Sequence, residues 1–383
     1  MDHSTLHSWC TPTRIYASIG ASSQLAQLVA GRNVLVVVDQ RLRRQNTLVN
    51  ETLHACAPDL VVECNPEDDG LERVLSLAVL LKTFRNPWVV AIGGGSVMDV
   101  AKAGILLHRA PELATLLRRG GPLFCGQFGA LPMIAIPTTT GTAAEVSAVA
   151  VLRSQGRTTM LISPARPAFA LLDPRLIDGL TVNQRLAGLL EPISRALVPA
   201  IAGKSLMLQD NLTTAILDTL LALGETLTLP MINDVSERMQ WNLTASLASA
   251  QTHIGFLSLG RPPALHVLWP YATEIMAATG ATKSSVLARL IPAWFDGIRN
   301  DLLPPAFGTR ERVEEVMSGG MPALERVSAW CNKIDLGSIP MFNPEAVVDE
   351  VRRTWQASGL FLQDVAEADG LRLLELSFRK QLA

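Results

Sequence analysis

The sequence contains no pair of cysteines at the spacing of a metal or redox motif, although it has five cysteines in all. They are scattered along the chain as Cys10, Cys56, Cys64, Cys125 and Cys331. A Cys-x-x-Cys pair is usual in zinc and redox sites, and an even, clustered set is usual in disulfide frameworks. The cysteines therefore predict reduced thiols in a reducing compartment.

The chain also has little net charge and no long apolar run. Its formal net charge of −2 argues against electrostatic binding to nucleic acid or to an anionic membrane. No apolar stretch reaches the roughly 20 residues needed to cross a bilayer. The first residues lack the basic-then-apolar layout of a signal peptide. We expect a soluble, cytoplasmic protein with a small-molecule or peptide substrate and no nucleic-acid or membrane partner.

Apolar residues, in contrast, are abundant. They make up 48% of the 383 residues while charged residues make up 18%, so much of the chain must be buried. The length is sufficient for two domains with substantial cores. Part of the apolar surface is expected at a subunit interface, which predicts a homodimer or a larger homo-oligomer.

The first half of the chain alternates apolar, β-branched runs with segments of helical periodicity. This pattern predicts an α/β domain with a mostly parallel sheet, and helices on both faces of it. After Asp173-Pro174 the strand signals nearly vanish and helical patterns rich in Leu, Ala and Met follow. We predict an α/β domain at 1–179 and an all-helical domain at 180–383, with the substrate cleft between them. The predicted strands are 33–39, 60–63, 88–92, 133–136 and 169–172.

Two loops follow predicted strands and carry the most specific pattern in the chain. The first reads Gly93-Gly94-Gly95-Ser96-Val97-Met98-Asp99-Val100-Ala101-Lys102, and the second begins Pro137-Thr138-Thr139-Thr140-Gly141-Thr142 and ends in Glu145. Glycine lets the backbone approach a ligand closely, and a helix N-terminus offers unpaired N–H groups to an anion. Loops that leave the carboxyl ends of parallel strands meet at one edge of the sheet. The pair predicts a site for the pyrophosphate of a dinucleotide.

Together these loops resemble the iron-containing (group III) alcohol dehydrogenase family, whose members carry a Gly-Gly-Gly-Ser-x-x-Asp-x-x-Lys loop and a Pro-Thr-Thr-x-Gly-Thr-x-x-Glu loop. The resemblance continues to Asp173-Pro174 and, more loosely, to about Leu290. It implies a Rossmann-like domain followed by a helical domain, the architecture shared with dehydroquinate synthase. It also implies NAD(P)-dependent alcohol dehydrogenase activity in a homo-oligomer.

The resemblance and the local chemistry together select the cofactor-binding residues. Asp39 closes a predicted strand, where a carboxylate can bind an adenosine ribose and favour NAD, or can simply cap a helix. Three arginines nearby could admit the 2′-phosphate of NADP (Arg41, Arg43 and Arg44). Ser96 is expected to cap the helix after the glycines, and Lys102 either reaches a phosphate or lies on a solvated face. The predicted cofactor contacts are Asp39, Gly93, Gly94, Gly95, Ser96, Asp99, Thr138, Thr139 and Thr142.

The metal site that the resemblance implies is degenerate in this chain. Family members hold a divalent metal with one Asp and three His, and the first two belong to an Asp-x-x-x-His helix. Glu191 and Arg195 occupy those two positions, and His266 matches the third ligand. The fourth would fall near Thr279-Gly280, where there is no histidine. We expect no metal; if one is retained, Glu191 and His266 would be its ligands.

Without a metal, the predicted catalytic residues are Arg195, His266 and Glu191. Arg195 can stabilise negative charge on the substrate oxygen or bind a carboxylate through its planar fork; alternatively it forms a structural ion pair with Glu191, and both roles are compatible. His266 is the candidate general acid or base because a histidine pKa can lie near neutrality. Arg261 is a candidate second anion contact.

The sequence thus favours an oxidoreductase that transfers a hydride between a nicotinamide and an alcohol or hydroxy acid. One alternative is oxidative decarboxylation of a β-hydroxy acid, such as a peptide C-terminus in a biosynthetic pathway. Two others are a metal-dependent lyase or cyclase of the same superfamily, for which a His-Gly-Glu element is missing, and a non-catalytic relative. Titration with NADH separates an enzyme from a non-catalytic scaffold, because a scaffold without a cofactor site gives no fluorescence change.

Overall fold

A computed structural model describes residues 11–65, 70–126, 131–162, 165–203, 206–227, 233–254, 256–258, 261, 266–359 and 361–382. Within these residues the chain forms two compact units. The sheet unit contains residues 12–188 together with 227–250, and the helical unit contains Thr11, 189–226 and the residues from Gln251 onward. The division at residues 179 and 180 stays a prediction. Asn242, far along the sequence, donates from Nδ2 to the Pro174 carbonyl at 3.0 Å inside the sheet unit.

The sheet unit is built on six parallel strands in the order β1-β9-β6-β4-β2-β3. This confirms the predicted α/β class. The central strands are apolar along their length because both of their faces are covered. Alternate residues of β4 belong to different cores, Val89 and Ala91 to one and Val90 and Ile92 to the other. The strands are β1 Arg14–Ala17, β2 Val34–Asp39, β3 Leu60–Cys64, β4 Trp88–Gly93, β6 Met133–Pro137 and β9 Phe169–Leu172.

A second, three-stranded sheet was not predicted from the sequence. Its strands are β5 Gly121–Phe124, β7 Val149–Ser154 and β8 Arg157–Ile162, in the order β5-β8-β7. The β7–β8 hairpin turns through Gln155 and Gly156, whose φ angles are both positive at 50° and 73°. Positive φ at both central residues is the geometry of the two-residue turns that suit strand twist.

Five helices of the sheet unit precede the second motif loop. They are α1 Gln24–Val29, α2 Gln40–Gln45, α3 Thr47–Cys56, α4 Gly70–Leu81 and α5 Gly95–Arg109. Helices α4 and α5 pack together over one face of the sheet, where Leu77 of α4 and Ala103 of α5 belong to the same buried core.

From Val182 onward, every regular element within the described residues is helical, as predicted. The longer helices are α6 Val182–Ala202, α7 Met207–Thr226, α8 Val235–Ile254, α9 Leu268–Thr279, α10 Lys283–Arg299, α11 Arg310–Val316, α12 Gly320–Lys333, α13 Pro344–Thr354 and α14 Glu367–Leu382. Among the residues that the structure describes, none of the helices combines the length and apolar character that a bilayer span requires. Four cysteines are buried and not in disulfides, namely Cys56, Cys64, Cys125 and Cys331; Cys10 lies outside the described residues.

The α4–α5 contact depends on the missing side chain of Gly104. A Cβ atom at Gly104 would lie 2.5 Å from Leu77 Cδ2, which is buried in the core. We expect Gly104→Val to lower the free energy of unfolding by about 1–3 kcal/mol, the usual cost of overfilling a packed core. Gly179→Val is the matched control, because no heavy atom lies within 4 Å of a Cβ there. Urea unfolding followed by circular dichroism should show a loss for the first variant and a change within about 0.5 kcal/mol for the second.

Candidate cofactor and catalytic sites

The glycine loop joins the end of β4 to the start of α5. Gly94 is the N-cap residue, with φ −78° and ψ −175°, and no side chain caps the helix. Ser96 is exposed in the first turn of α5, so the expectation that Ser96 is the cap is wrong. The first N–H groups of a helix lack intrahelical acceptors, and the helix dipole makes that end favourable for an anion. The fifteen-residue helix α5 therefore presents an N-terminus suited to a phosphate.

The threonine loop lies directly against the glycine loop. The Thr138 N–H donates to the Gly93 carbonyl at 3.0 Å, and the Thr138 side chain is buried. Thr142 is half-buried, and its Oγ1 accepts from the Ala144 N–H at 3.3 Å. The two motif loops thus converge at the carboxyl edge of the sheet, as expected from their position after β4 and β6.

Three glycines are required by close contacts in this region. A Cβ at Gly94 would lie 3.2 Å from Thr139 Oγ1, and one at Gly95 would lie 2.8 Å from Thr142 Cγ2. Gly141 has a φ of +105°, and a Cβ there would lie 2.1 Å from the carbonyl of residue 188. The glycines therefore serve loop packing as well as any approach of a ligand.

Asp99 and Lys102 connect α5 to β7 and are less available for contact with a cofactor than the sequence suggested. Asp99 Oδ2 accepts from the Val151 N–H at 3.0 Å, and Asp99 Oδ1 lies 3.6 Å from Lys102 Nζ. Lys102 is fully buried and donates to Ser147 Oγ at 3.1 Å and to the Val149 carbonyl at 2.9 Å. Burial lowers the pKa of Lys102, while the charge of Asp99 opposes that shift. Lys102 therefore does not lie on a solvated face, and a cofactor contact by Asp99 stays a prediction.

Asp39 caps α2, one of the two roles foreseen for it. Its Oδ1 accepts from the backbone N–H groups of Arg41 and Leu42 at 2.8 and 3.2 Å. Arg43 forms an ion pair with Glu63 at 3.2 Å. A ribose contact by Asp39, and with it the preference for NAD, stays a prediction.

The predicted catalytic residues lie together in the helical unit. Glu191 and Arg195 stand one turn apart on α6, with Arg195 NH1 2.9 Å from Glu191 Oε1. Arg195 Nε donates to Thr252 Oγ1 at 2.8 Å. Lys283, the first residue of α10, donates from Nζ to the same Glu191 oxygen at 2.8 Å. We call Glu191, Arg195, His266 and Lys283 the cation cluster.

His266 is held among these groups as a neutral imidazole. It is buried, its Nε2 lies 3.1 Å from Ser194 Oγ, and its ring stacks on Trp269 at a centroid distance of 4.4 Å. Burial, followed by the positive charges of Lys283 and Arg195, lowers the pKa of His266 well below its ordinary value. The sequence-based expectation of a pKa near neutrality is therefore wrong. A neutral ring remains able to accept a proton.

The residues present do not fit a divalent metal. Within the described part of the chain, no group of three His, Cys, Asp or Glu side chains is arranged to hold a metal ion. Glu191 Oε1 already serves two cations, and His266 Nε2 is hydrogen-bonded to Ser194. Iron and zinc sites usually need three or four protein ligands and are disfavoured next to fixed cations. That the protein works without a metal stays a prediction.

Sequence reasoning missed three members of this environment. Lys283 follows Gly280, the C-cap of α9, and Thr282, the N-cap of α10, so a search for histidine at a fixed spacing passed over it. Thr252 and Ser194 had no sequence signal. Arg261 was foreseen as an anion contact.

Arg261 instead binds groups of the protein itself. Its NH2 donates to Asp210 Oδ1 at 2.7 Å and its NH1 donates to Thr213 Oγ1 at 2.9 Å. Arg312 contacts the same carboxylate, with NH2 3.0 Å from Asp210 Oδ1. These contacts account for Arg261 as a structural residue of α7 and its surroundings.

The sequence similarity to known proteins is strongest in the sheet unit. The family model described as iron-containing alcohol dehydrogenase matches residues 12–174. An alcohol dehydrogenase of Thermococcus barophilus is 33% identical over 174 residues, which cover 43% of this chain and 46% of that protein. A phosphonoacetaldehyde reductase of Streptomyces viridochromogenes is 34% identical over 152 residues, 38% of each chain. The chain thus spans less than half the length of these curated relatives.

Longer similarity is weaker in sequence but clear in fold. The NADPH-dependent aldehyde reductase YqhD of Escherichia coli is 25% identical over 335 residues, which cover 83% of this chain and 82% of that protein. Its crystal structure matches with a TM-score of 0.78, 21% identity, and coverage of 97% and 99% of the two chains. A butanol dehydrogenase A of Thermotoga maritima, titled NADH-dependent, matches with a TM-score of 0.80, 18% identity, and coverage of 97% and 98%.

The resemblance predicted from the two loops is confirmed, and so is the predicted architecture. By the glycine and threonine loops and the parallel sheet that carries them, residues 12–174 match the iron-containing alcohol dehydrogenase family, and the fold of the described chain is similar to that of its solved members.

Proposed function

We propose that the chain is an NAD(P)-dependent oxidoreductase that transfers a hydride between a nicotinamide and an alcohol or hydroxy-acid carbon, without the family's metal. One observation carries the cofactor assignment: the N-terminus of α5, without a side-chain cap, lies beside the threonine loop. The names of the relatives, alcohol dehydrogenase and aldehyde reductase among them, agree with this reaction class.

The residues of the sheet unit would hold the cofactor as follows. Backbone N–H groups of the glycine loop, from Gly93 to Ser96, would bind the pyrophosphate, and the hydroxyls of the threonine loop would complete the site. Asp39 would bind the ribose and Asp99 would line the site. We favour NAD because of Asp39, and NADP stays open because relatives include an NADPH-dependent butanol dehydrogenase. A bound nicotinamide supplies the acceptor or donor of the hydride.

Arg195 would take over the electrostatic role of a metal. Its side chain is 2% exposed, and Glu191 and Thr252 contact its guanidinium. A cation oriented in advance and shielded from water stabilises the charge that develops on a substrate oxygen during hydride transfer. Arginine keeps its proton at any physiological pH, so this charge is permanent.

His266 would move the proton. When an alcohol is oxidised, its hydroxyl proton must leave as the hydride departs from the carbon. The neutral imidazole can accept that proton, and Ser194, 3.1 Å from Nε2, is placed to pass it on. Burial, and then the positive charges nearby, disfavour the imidazolium, so the ring would release the proton again easily.

A second candidate function, oxidative decarboxylation of a β-hydroxy acid, is favoured by the two cations that share Glu191. The β-carbon would give its hydride to the nicotinamide and the hydroxyl would give its proton to His266, forming a β-keto acid. The bond to the carboxylate then breaks, its electron pair forms an enolate that takes a proton to become a ketone, and carbon dioxide leaves. Release of carbon dioxide in step with NADH formation separates this reaction from simple oxidation.

We also propose a cytoplasmic homo-oligomer with no nucleic-acid or membrane partner. The low net charge and the buried free cysteines of the described chain support this setting.

The cofactor assignment predicts a specific effect of charge at Ser96. A glutamate there would interact favourably with the helix dipole but would repel a pyrophosphate. Ser96→Glu should therefore weaken NADH binding by about tenfold or more without loss of stability. Ser96→Ala, which adds no charge, is the matched control and should cost far less. Fluorescence titration with NADH and thermal unfolding measure the two effects. Equal affinities in Ser96→Glu and Ser96→Ala would contradict a phosphate at this helix.

The role of Arg195 predicts a large loss of turnover. Arg195→Ala should lower kcat by about 10²-fold, the usual scale for removing one preorganised charge donor. Arg195→Lys should rescue little, because an ammonium cannot contact Thr252 and Glu191 with the geometry of the fork. A purely structural ion pair would instead appear as a lower melting temperature with turnover almost intact.

The proposal of a metal-free enzyme predicts that wild-type turnover survives dialysis against a chelator. A loss of turnover that added metal restores would refute this proposal.

The neutral state of His266 predicts the direction of a pH effect on stability. The pKa is lowered in the folded protein, so the unfolded chain binds the proton first as pH falls below about 6.5, and stability is lost there. His266→Gln keeps an acceptor for Ser194 but cannot titrate. Between pH 7.5 and 5.5, the free energy of unfolding measured with urea should fall by about 1 kcal/mol more in the wild type than in His266→Gln. Parallel pH profiles would show that His266 is readily protonated in the fold.

A further inference from the structure

The most informative contact in the cation cluster is the sharing of one carboxylate oxygen. Glu191 Oε1 lies 2.9 Å from Arg195 NH1 and 2.8 Å from Lys283 Nζ. The two cations come from different helices, α6 and α10. Because both are positively charged, they repel each other across this single atom. An anion between them relieves the repulsion at short range, where the interaction is strongest.

Each cation is also fixed by a contact that does not involve Glu191. Arg195 Nε is hydrogen-bonded to Thr252, and Lys283 Nζ lies 5.1 Å from the ring centroid of Trp269. An aromatic face attracts a cation at this distance. The positions of both cations are thus supported even when Glu191 turns away, which a site for an exchangeable anion requires.

The exposure of the three side chains indicates a direction of access. The exposed fraction of the side chain is 2% for Arg195, 13% for Glu191 and 21% for Lys283. A ligand from solvent would therefore meet Lys283 first and Arg195 last.

Resting on the proposed function, we propose that Lys283 and Arg195 form a subsite for the carboxylate of the substrate, and that Glu191 is the internal carboxylate that holds the pair in its absence. The substrate class is then a hydroxy acid or its keto acid. Lys283 is the specificity-determining residue, because a neutral alcohol has no group for it to bind.

A carboxylate fits this subsite better than a metal or a neutral ligand. Two cations repel a divalent metal, whereas they attract an anion. Arg195 offers a planar fork that matches a carboxylate, and Lys283 adds a second charge-assisted contact. The internal occupant, Glu191, has the same chemistry as the proposed ligand.

The proposal predicts opposite effects of two substitutions on the binding of butanoate, a carboxylate without a hydroxyl to oxidise. Glu191→Gln keeps the shape of the side chain but removes the competing charge, so butanoate should bind about fivefold or more tightly. Lys283→Met should weaken it about tenfold, and Lys283→Arg should recover most of the loss. Isothermal titration at constant ionic strength measures all four proteins, and thermal unfolding checks that each is folded.

Glu225→Gln is the matched control, since Glu225 pairs with Arg326 on the surface of the same unit. It changes the net charge equally and should leave butanoate affinity as it is. If Glu191→Gln binds butanoate no better than this control, or if Lys283→Met binds it as the wild type does, the subsite is refuted.

Activity provides a second readout that separates this proposal from the proposed function. The ratio of kcat/KM for 3-hydroxybutanoate to that for the neutral 4-methyl-2-pentanol should rise in Glu191→Gln and fall in Lys283→Met. Equal loss on both substrates in Glu191→Gln would make Glu191 a catalytic base and overturn the subsite. The butanoate pattern without any turnover that depends on NAD+ or NADP+ would refute the proposed function and leave the subsite standing.

Discussion

The register between β4 and β6 determines where the glycine and threonine loops of the sheet unit lie. Val89 pairs with Met133 and Gly93 pairs with Pro137, so the two parallel strands end at the same level. Their loops then have to leave the sheet side by side. Glycine at 94 and 95 follows from this closeness, because a Cβ at either position would press on a threonine of the second loop. A slip of one residue would turn the apolar residues of β6 to the opposite faces and separate the loops.

Two lysines of the described chain, Lys102 and Lys283, are held in different ways. Lys102 donates to Ser147 and to a backbone carbonyl and lies beside Asp99, so its contacts connect α5 to β7 and it is fully buried. Lys283 differs in each respect: it is partly exposed, it lies over an aromatic ring, and its carboxylate partner in the described chain already serves Arg195. The first arrangement stabilises a fold, whereas the second leaves a cation within reach of an external anion.

The sequence predicted the elements whose signal is local and missed those that depend on distant contacts. The β-branched run of β2 and the glycine loop after β4 can be read from neighbouring residues, because burial on both faces and a tight turn each require particular residue types. The β5-β8-β7 sheet has short strands, and its β5–β8 pairing joins segments far apart in the chain, so periodicity alone did not reveal it. Polar residues were ambiguous for another reason. The carboxylate of Asp39 suits both a ribose ligand and a helix cap, and only the geometry shows that it caps α2.

The predicted catalytic residues show the same limit more sharply. Glu191, Arg195 and His266 were found because a family pattern points to their positions, and Lys283 was missed because no family pattern points to it; only the fold brings it to Glu191. Arg195 and Lys283 place positive charge near the buried imidazole of His266. Burial first, and then these charges, lower the pKa of His266 and so disfavour an imidazolium. Fixed positive charge also disfavours a divalent metal. The same charge favours a carboxylate or a developing oxyanion. Glu191 and Arg195, at the positions where the resemblance implies metal ligands, are therefore consistent with the proposed function, in which the region would attract negative charge.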